Sequence, residues 1–402
     1  MLRTPIRPLV IVFTLMLASV LLAADEYDKK EWDKAIAGGN RTFREGDFES
    51  ARDHFLHAMR IAKKFGDESG SMGVTMDHLA STYSALGQYD KAEPLFAKSI
   101  PILQKKLGKT HPRLATSYHN IGTLYRKMRK FTLAEKFYTA ALKSRALQAG
   151  PDTIEVARSL HSIARLYLDM RRFNAAGPRL VRVLSQYEKH LGADHIDVGA
   201  ACHELGWCYL MNNQHDVAQK HLNRALAIRQ AKLEEDHVDV AATVALLANL
   251  YRSQGKYKEA EPLYEQALAI QEKNLGKDNI VVGNTKFDMA GLYGSQSRLA
   301  KAVSAYAEAL AIQEKHLGKD HIDVGRTLHN VGVITREQKA WGRSSQAFKR
   351  ALAIYEKRLG KENPQLVQLL EAYAGTLRGA GRIDDSKAML KRANQIRNKP
   401  AG

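Results

Sequence analysis

Residues 257–276 read YKEAEPLYEQALAIQEKNLG and run on into KDNI at 277–280. Tyr257, Ala260, Tyr264 and Ala267 are spaced three and four apart, which puts them on one face of a helix. The closing phrase, LGKDNI at Leu275, is not unique. It recurs as LGKTHP at Leu107, LGADHI at Leu191, LEEDHV at Leu233, LGKDHI at Leu317 and LGKENP at Leu359, with a degenerate copy, AGPDTI, at Ala149. From 107 to 359 the register is six periods of 42 residues, with no insertion or deletion. A strict period of this length is the mark of a repeat array, in which each unit packs on its neighbours.

Each period holds two helical stretches. The first carries an apolar residue, a small residue and usually a tyrosine: Ile121-Gly122 with Tyr125, Ile163-Ala164 with Tyr167, Leu205-Gly206 with Tyr209, Leu247-Ala248 with Tyr251. The second follows a polar turn and repeats the face already seen, as in Phe131, Ala134, Tyr138 and Ala141. Small residues let two helices approach, and large ones fill the space between hairpins. The punctuation agrees. Late cations and Leu-Gly close the second helix, as in Glu314-Lys315-His316-Leu317-Gly318. His, Asn or Thr opens the next one, followed by Pro in His111-Pro112 and Asn363-Pro364. Asp194, Asp236, Asp278 and Asp320 sit at that entrance, where a helix favours an acid.

Two flanking units extend the array. Phe48, Ala51, Phe55 and Ala58 match Tyr89, Ala92, Phe96 and Ser99 at a spacing of 41, and Ile383, Ser386, Leu390 and Ala393 keep the 42 register. The expectation is about nine antiparallel helix-turn-helix hairpins over residues 31–397, with a short linker at 25–30 and a tail at 398–402. The phrases YDKAEPLFAKSI (Tyr89–Ile100), YKEAEPLYEQALAIQEKNLG and HIDVGRTLHNVG (His321–Gly332) resemble the tetratricopeptide repeat, in the 42-residue form found in kinesin light chains and many bacterial proteins. That resemblance implies an all-α, right-handed superhelical solenoid whose inner curve binds partners. It implies nothing about motor function, because one fold serves many partners.

Residues 1–24, MLRTPIRPLVIVFTLMLASVLLAA, have the layout of a secretory signal: Arg3 and Arg7, an apolar run from Leu9 to Leu22, then small residues. The run is shorter than the ~20 apolar residues a membrane span needs. Cleavage after Ala24 is the expectation, with an uncleaved anchor as the alternative because Leu22 is large for its place. The chain is thus expected to be exported, to the periplasm or beyond. The formal net charge is +18, or +16 without Arg3 and Arg7. It favours acidic partners. The basic residues read as spread over all repeats, with no basic tail and no recognition-helix motif, which argues against nucleic acid. Cys202 and Cys208, six apart on one helix, read as packed thiols rather than a disulfide.

Two histidine ladders invite a chemical reading. His111, His195, His237 and His321 stand at helix entrances. Asn279 and Asn363 replace them in register, which suits helix capping and not a metal array. His119, His161, His203 and His329 lie two residues before the apolar position of the first helix, with Ala245 and Phe287 at the same place between them. In the tetratricopeptide family this position lines the concave groove. Helical spacing adds Arg126, Arg158, Arg165, Trp207, Asn249, Arg252, Arg326 and Arg336 to the same faces. The expected surface is cationic, with Trp207 and Phe287 as apolar patches and a hollow at Ala245. Arginine grips carboxylates bidentately, and Arg and Trp are common binding hot spots.

No phosphate loop, HExxH or CxxC motif occurs, so no catalytic, cofactor or metal residue is assigned and no enzyme is expected. The expected function is an adaptor that binds an acidic peptide or protein segment in a basic groove. The alternative is a structural envelope protein whose basic surface makes peripheral contact with anionic lipid or cell-wall polymer.

Overall fold

The alternating helical stretches form as the sequence pattern predicts. The computed structural model describes residues 7–399, with residues 7–24 described by backbone alone; the targeting signal expected over 1–24 lies outside the residues so described in full. The helices are α1 (Arg7–Arg44), α2 (Phe48–Ala62), α3 (Gly70–Ala85), α4 (Tyr89–Leu107), α5 (Pro112–Lys127), α6 (Phe131–Ala149), α7 (Ile154–Asp169), α8 (Phe173–Leu191), α9 (Ile196–Met211), α10 (His215–Lys232), α11 (Val238–Ser253), α12 (Tyr257–Leu275), α13 (Ile280–Ser295), α14 (Leu299–Leu317), α15 (Ile322–Glu337), α16 (Trp341–Leu359), α17 (Leu366–Gly379) and α18 (Ile383–Arg397). Among the described residues there is no strand, and no helix is long and apolar enough to cross a membrane. Helix α1 runs without a break through residues 25–30, assigned above to a linker.

The chain divides into two units, Met1–Ala193 and Asp194–Gly402. The first holds four hairpins, α1/α2 to α7/α8, and the second holds five, α9/α10 to α17/α18. Within each unit a second helix packs on its own hairpin partner and on the first helix of the next hairpin. Each unit is by itself an all-α solenoid of stacked hairpins.

Close approach inside a hairpin depends on the small residue of the first helix. Ala80, Gly122, Ala164, Gly206, Ala248, Ala290, Gly332 and Ala374 are all buried. At Gly122 an added Cβ would lie 2.7 Å from the Tyr138 ring, and at Gly206 it would lie 2.5 Å from Leu222. The large residues of the second helices, among them Phe55, Phe96, Tyr264 and Phe348, are fully buried. Each such side chain contributes roughly 1.5–3 kcal/mol by leaving water. Cys202 and Cys208 are both buried thiols, and burial pushes Cys208 up to about 12.

The first histidine ladder caps helices, as its exchange with asparagine suggested. The Nδ1 atoms of His111, His195, His237 and His321 accept the backbone N–H two residues on, at 3.1, 3.1, 3.1 and 3.2 Å. The side-chain oxygens of Asn279 and Asn363 accept the equivalent N–H at 2.9 Å. Imidazole and carboxamide present an acceptor at the same reach, so the two residue types interchange.

At the other end, the second helices stop where the chain enters a region closed to side chains. Gly318 ends α14 with φ +83 and ψ +154. That combination is essentially restricted to glycine. The LEEDHV repeat has Glu234 in the matching place, and there α10 ends one residue early, at Lys232, with Leu233 extended at φ −121. One substitution in the repeat phrase therefore shortens one helix.

The entrance acids do more than oppose a dipole. Six of the nine hairpins join an acid before the first helix to a lysine at or just past the end of the second, 37 residues later: Glu68–Lys105 (2.8 Å), Asp152–Lys189, Asp236–Lys273, Asp278–Lys315 (2.7 Å), Asp320–Lys357 and Glu362–Lys399. The lysine hydrogen bond holds each of these carboxylates below its ordinary pKa.

Two outcomes are expected from this anatomy. Gly318→Ala forces a Cβ into the glycine-only region and lowers stability by about 1–3 kcal/mol in urea unfolding. His237→Ala costs about 0.5–2 kcal/mol, while His237→Asn, which copies the natural exchange, costs a small fraction of that.

Candidate binding surface on the first helices

The second ladder sits where the first helix meets the second, half-buried rather than free in a groove. In the N-terminal unit the His119 ring lies 5.4 Å from Tyr138, and His161 Nδ1 is 3.1 Å from the Tyr187 hydroxyl. In the C-terminal unit His329 lies edge-on to Phe348 at 5.7 Å, and Phe287 lies edge-on to Tyr306 at 5.5 Å. His203 and Trp207 are half-buried on α9, and Ala245 is buried on α11. Burial, with Arg145 and Arg126 nearby, drives the His119 imidazole down to about 4. Burial and Arg336 lower His329 as well. At neutral pH these two imidazoles are uncharged, so the cationic character of the faces rests on arginine.

The arginines fall into two groups. Arg126, Arg252 and Arg336 hold the same position in three repeats, and each reaches the neighbouring hairpin. Arg126 Nη1 donates to Asp169 at 2.8 Å. Arg336 Nη1 lies 3.5 Å from the Ala372 carbonyl and crosses Gly375, where an added Cβ would sit 3.2 Å from it. Arg252 Nη1 would meet a Cβ at Gly291 at 3.4 Å. These three tie hairpins together. Arg326 lies over the Phe287 ring at 5.2 Å and pairs with Asp323 at 2.9 Å. Arg158 and Arg165, on α7, are exposed.

The C-terminal unit assembles a polar network around Asn249. The Tyr264 hydroxyl donates to Asn249 Oδ1 at 2.8 Å, Asn249 Nδ2 donates to Asp288 at 2.9 Å, and Arg252 Nη2 donates to Asn249 Oδ1 at 3.3 Å. Asn330 Nδ2 donates to the Tyr306 hydroxyl at 3.2 Å. The sequence reading placed Asn249, Arg252 and Phe287 here but assigned Tyr264 to packing and passed over Asp288, Tyr306 and Asn330. The signal was present: the register position that holds Asp288 carries Asn120, Glu204 and Asn330 in other repeats.

His78 was also missed, because it precedes His119 by 41 rather than 42 residues. It stacks on Phe55 at 5.0 Å, lies 2.7 Å from Arg113 Nη2, and is held down to about 4 by burial and that guanidinium. With Asn40, Phe43, Arg44, Ser81 and Asn120 it lines an open recess of about 470 Å³ across α1, α3 and α5. Its neighbour Asp77 is buried, with Oδ1 unpartnered, and burial pushes its carboxyl up to about 6 against a Ser117 hydrogen bond and Arg113.

The basic excess is uneven, contrary to the even spread read above. Residues 101–193 hold 18 Lys and Arg against five Asp and Glu, a net +13 of the chain's +18.

A family model described as tetratricopeptide repeat matches residues 39–105, 71–147, 155–231, 214–273, 239–315, 281–357 and 323–399. The chain belongs to the tetratricopeptide repeat family. Among curated proteins none matches this repeat protein in sequence. Among solved structures it is similar to a Rap protein complexed with competence and sporulation factor (18% identity, TM-score 0.60, 93% of this chain and 98% of that one). It is likewise similar to the apo quorum sensor NprR of B. thuringiensis (13%, 0.60, 93% and 100%). BtubC (BKLC) of P. vanneervenii matches over 58% of this chain and 94% of its own, at 23% identity and TM-score 0.49. At these identities the likeness is one of fold. The family's fold is a scaffold for protein–protein interaction, and the repeat protein shares it.

Asp77 gives the surface a pH signature. Between about pH 4 and 6 the folded chain keeps a proton that the unfolded chain has released, so this stabilisation is lost as pH rises through about 6. Asp77→Asn is expected to raise unfolding stability at pH 7.5 by up to about 3 kcal/mol and to leave it nearly unchanged at pH 4. His78 and His119 shift stability in the opposite sense over this range in both proteins, so the difference between the two unfolding curves isolates Asp77.

Proposed function

We propose that this repeat protein is an exported, non-enzymatic scaffold whose first-helix faces hold an acidic segment of a partner protein, with α7 as the charged centre. The observation that carries this reading is the pair Arg158 and Arg165. They are exposed and three and four residues from His161 on one helix, within the stretch that holds most of the positive charge. Two guanidinium groups so placed can each take a carboxylate through paired N–H donors. The other face arginines are half-buried, so they shape the surface more than they attract a ligand. In the C-terminal unit, taken by itself, the Asn249 network offers amide and hydroxyl groups, which suit a peptide backbone. The Rap protein complexed with competence and sporulation factor supports the reading in one respect: a fold of this kind carries a bound factor there. Export rests on the leader-like pattern of residues 1–24.

The test is charge reversal. Arg158→Glu with Arg165→Glu is expected to weaken binding of a labelled glutamate-rich peptide at least about tenfold, with the helical circular dichroism signal unchanged. The same double variant should fail to recover the partner from an envelope extract. Unaltered capture by the folded variant would refute the assignment.

A further inference from the structure

Two successive turns carry nearly the same phrase. Met128-Arg129-Lys130-Phe131 joins α5 to α6, and Met170-Arg171-Arg172-Phe173 joins α7 to α8, one repeat later. Each of the nine hairpin turns passes through a left-handed residue. Four are glycine (Gly46, Gly87, Gly255, Gly381), and three are Asn213, Ser297 and Lys339. In these two turns the residue is arginine, Arg129 at φ +58 and Arg171 at φ +55. Arginine gains nothing from that conformation, which favours glycine or asparagine. The backbone holds it there: Lys130 N donates to Tyr125 O and Arg172 N to Tyr167 O, both at 2.8 Å. A side chain kept where the backbone disfavours it points to a use for the side chain.

We propose that this turn edge of the third and fourth hairpins is a docking surface for an anionic lipid bilayer. Arg129, Lys130, Arg171 and Arg172 are exposed on it, beside Lys127, whose Nζ donates to the Ser84 carbonyl at 3.2 Å. Lys130 is tied to Glu93 at 3.0 Å, and Arg129 lies 5.3 Å from the Phe131 ring. The two turns lie side by side: Arg126, at the end of α5, reaches Asp169 at the end of α7, and stacked helices sit roughly 10 Å apart. Turns project from the ends of helices, so these cations can all meet a flat surface, which a recessed groove could not. Half-buried Met128, Phe131, Met170 and Phe173 and exposed Leu133 flank them. Clustered basic residues mixed with apolar ones fit the headgroup layer of an anionic leaflet better than a soluble acidic chain. The surrounding stretch, 101–193, supplies the long-range attraction with its net +13. The edge is separate from the first-helix faces, and the proposal does not depend on what those faces bind.

Asn213-Gln214 stands in the same turn of a later hairpin, so Arg129→Asn, Lys130→Gln, Arg171→Asn and Arg172→Gln together keep a turn sequence the fold already uses. The full chain and this quadruple variant are to be floated with vesicles of phosphatidylcholine, alone or with about one third phosphatidylglycerol, in low salt and in about 0.5 M salt. The unmodified protein should float with the anionic vesicles beyond its level on neutral ones, and high salt should remove that excess. The quadruple variant should lose the excess at least about tenfold, while Arg158→Gln with Arg165→Gln should keep it. Equal flotation of the unmodified protein on both vesicle types, or an undiminished excess in the quadruple variant, would overturn the proposal. So would binding of soluble polyglutamate or duplex DNA in preference to the anionic vesicles.

Discussion

A pair of helices some 35 residues long has no interior of its own, and everything else in this protein follows from that shortage. Each hairpin has an apolar face that only the next hairpin can cover. The contact that lets this happen is the seating of a large second-helix side chain against a small first-helix residue, such as Tyr138 on Gly122 or Leu222 on Gly206. It sets the distance between helices, and the distance sets where each face presents its remaining side chains. The half-buried histidines of the candidate surface, and the buried tyrosines beside them, are by-products of that seating. They lie where the two helices part, and at His119 and His329 burial disfavours the charged imidazole.

The fold was legible because the sequence repeats its own instructions. Helix faces, caps and glycine stops were each written several times, so a single exception could be read against the others; Glu234 and the shortened α10 are the example. The binding surface was less legible. Helical spacing places residues on a face but does not say whether a neighbour has already claimed them. Arg126, Arg252 and Arg336 read as groove cations, and the structure spends them between hairpins. Asp288, Asn330 and the hydroxyls of Tyr264 and Tyr306 meet only through contacts some 15 to 40 residues apart, which a one-helix reading does not survey. His78 escaped because one repeat is a residue short.

Charge is distributed by a different logic from packing. The array tolerates polar variation on every solvent face, so basic residues could have been scattered, yet they gather on residues 101–193. Neither the core nor the caps require this. Such a concentration raises self-repulsion within one unit, and it persists in a fold that elsewhere pairs its exposed acids and bases with regularity.

That regularity has a consequence for how such a protein changes length. The acid and the lysine that close a hairpin's edge, Asp320 and Lys357 for example, both belong to that hairpin. A 42-residue cassette copied or excised at the loop takes both halves of its latch with it. The array can therefore grow or shrink by whole modules while every latch that remains stays fastened.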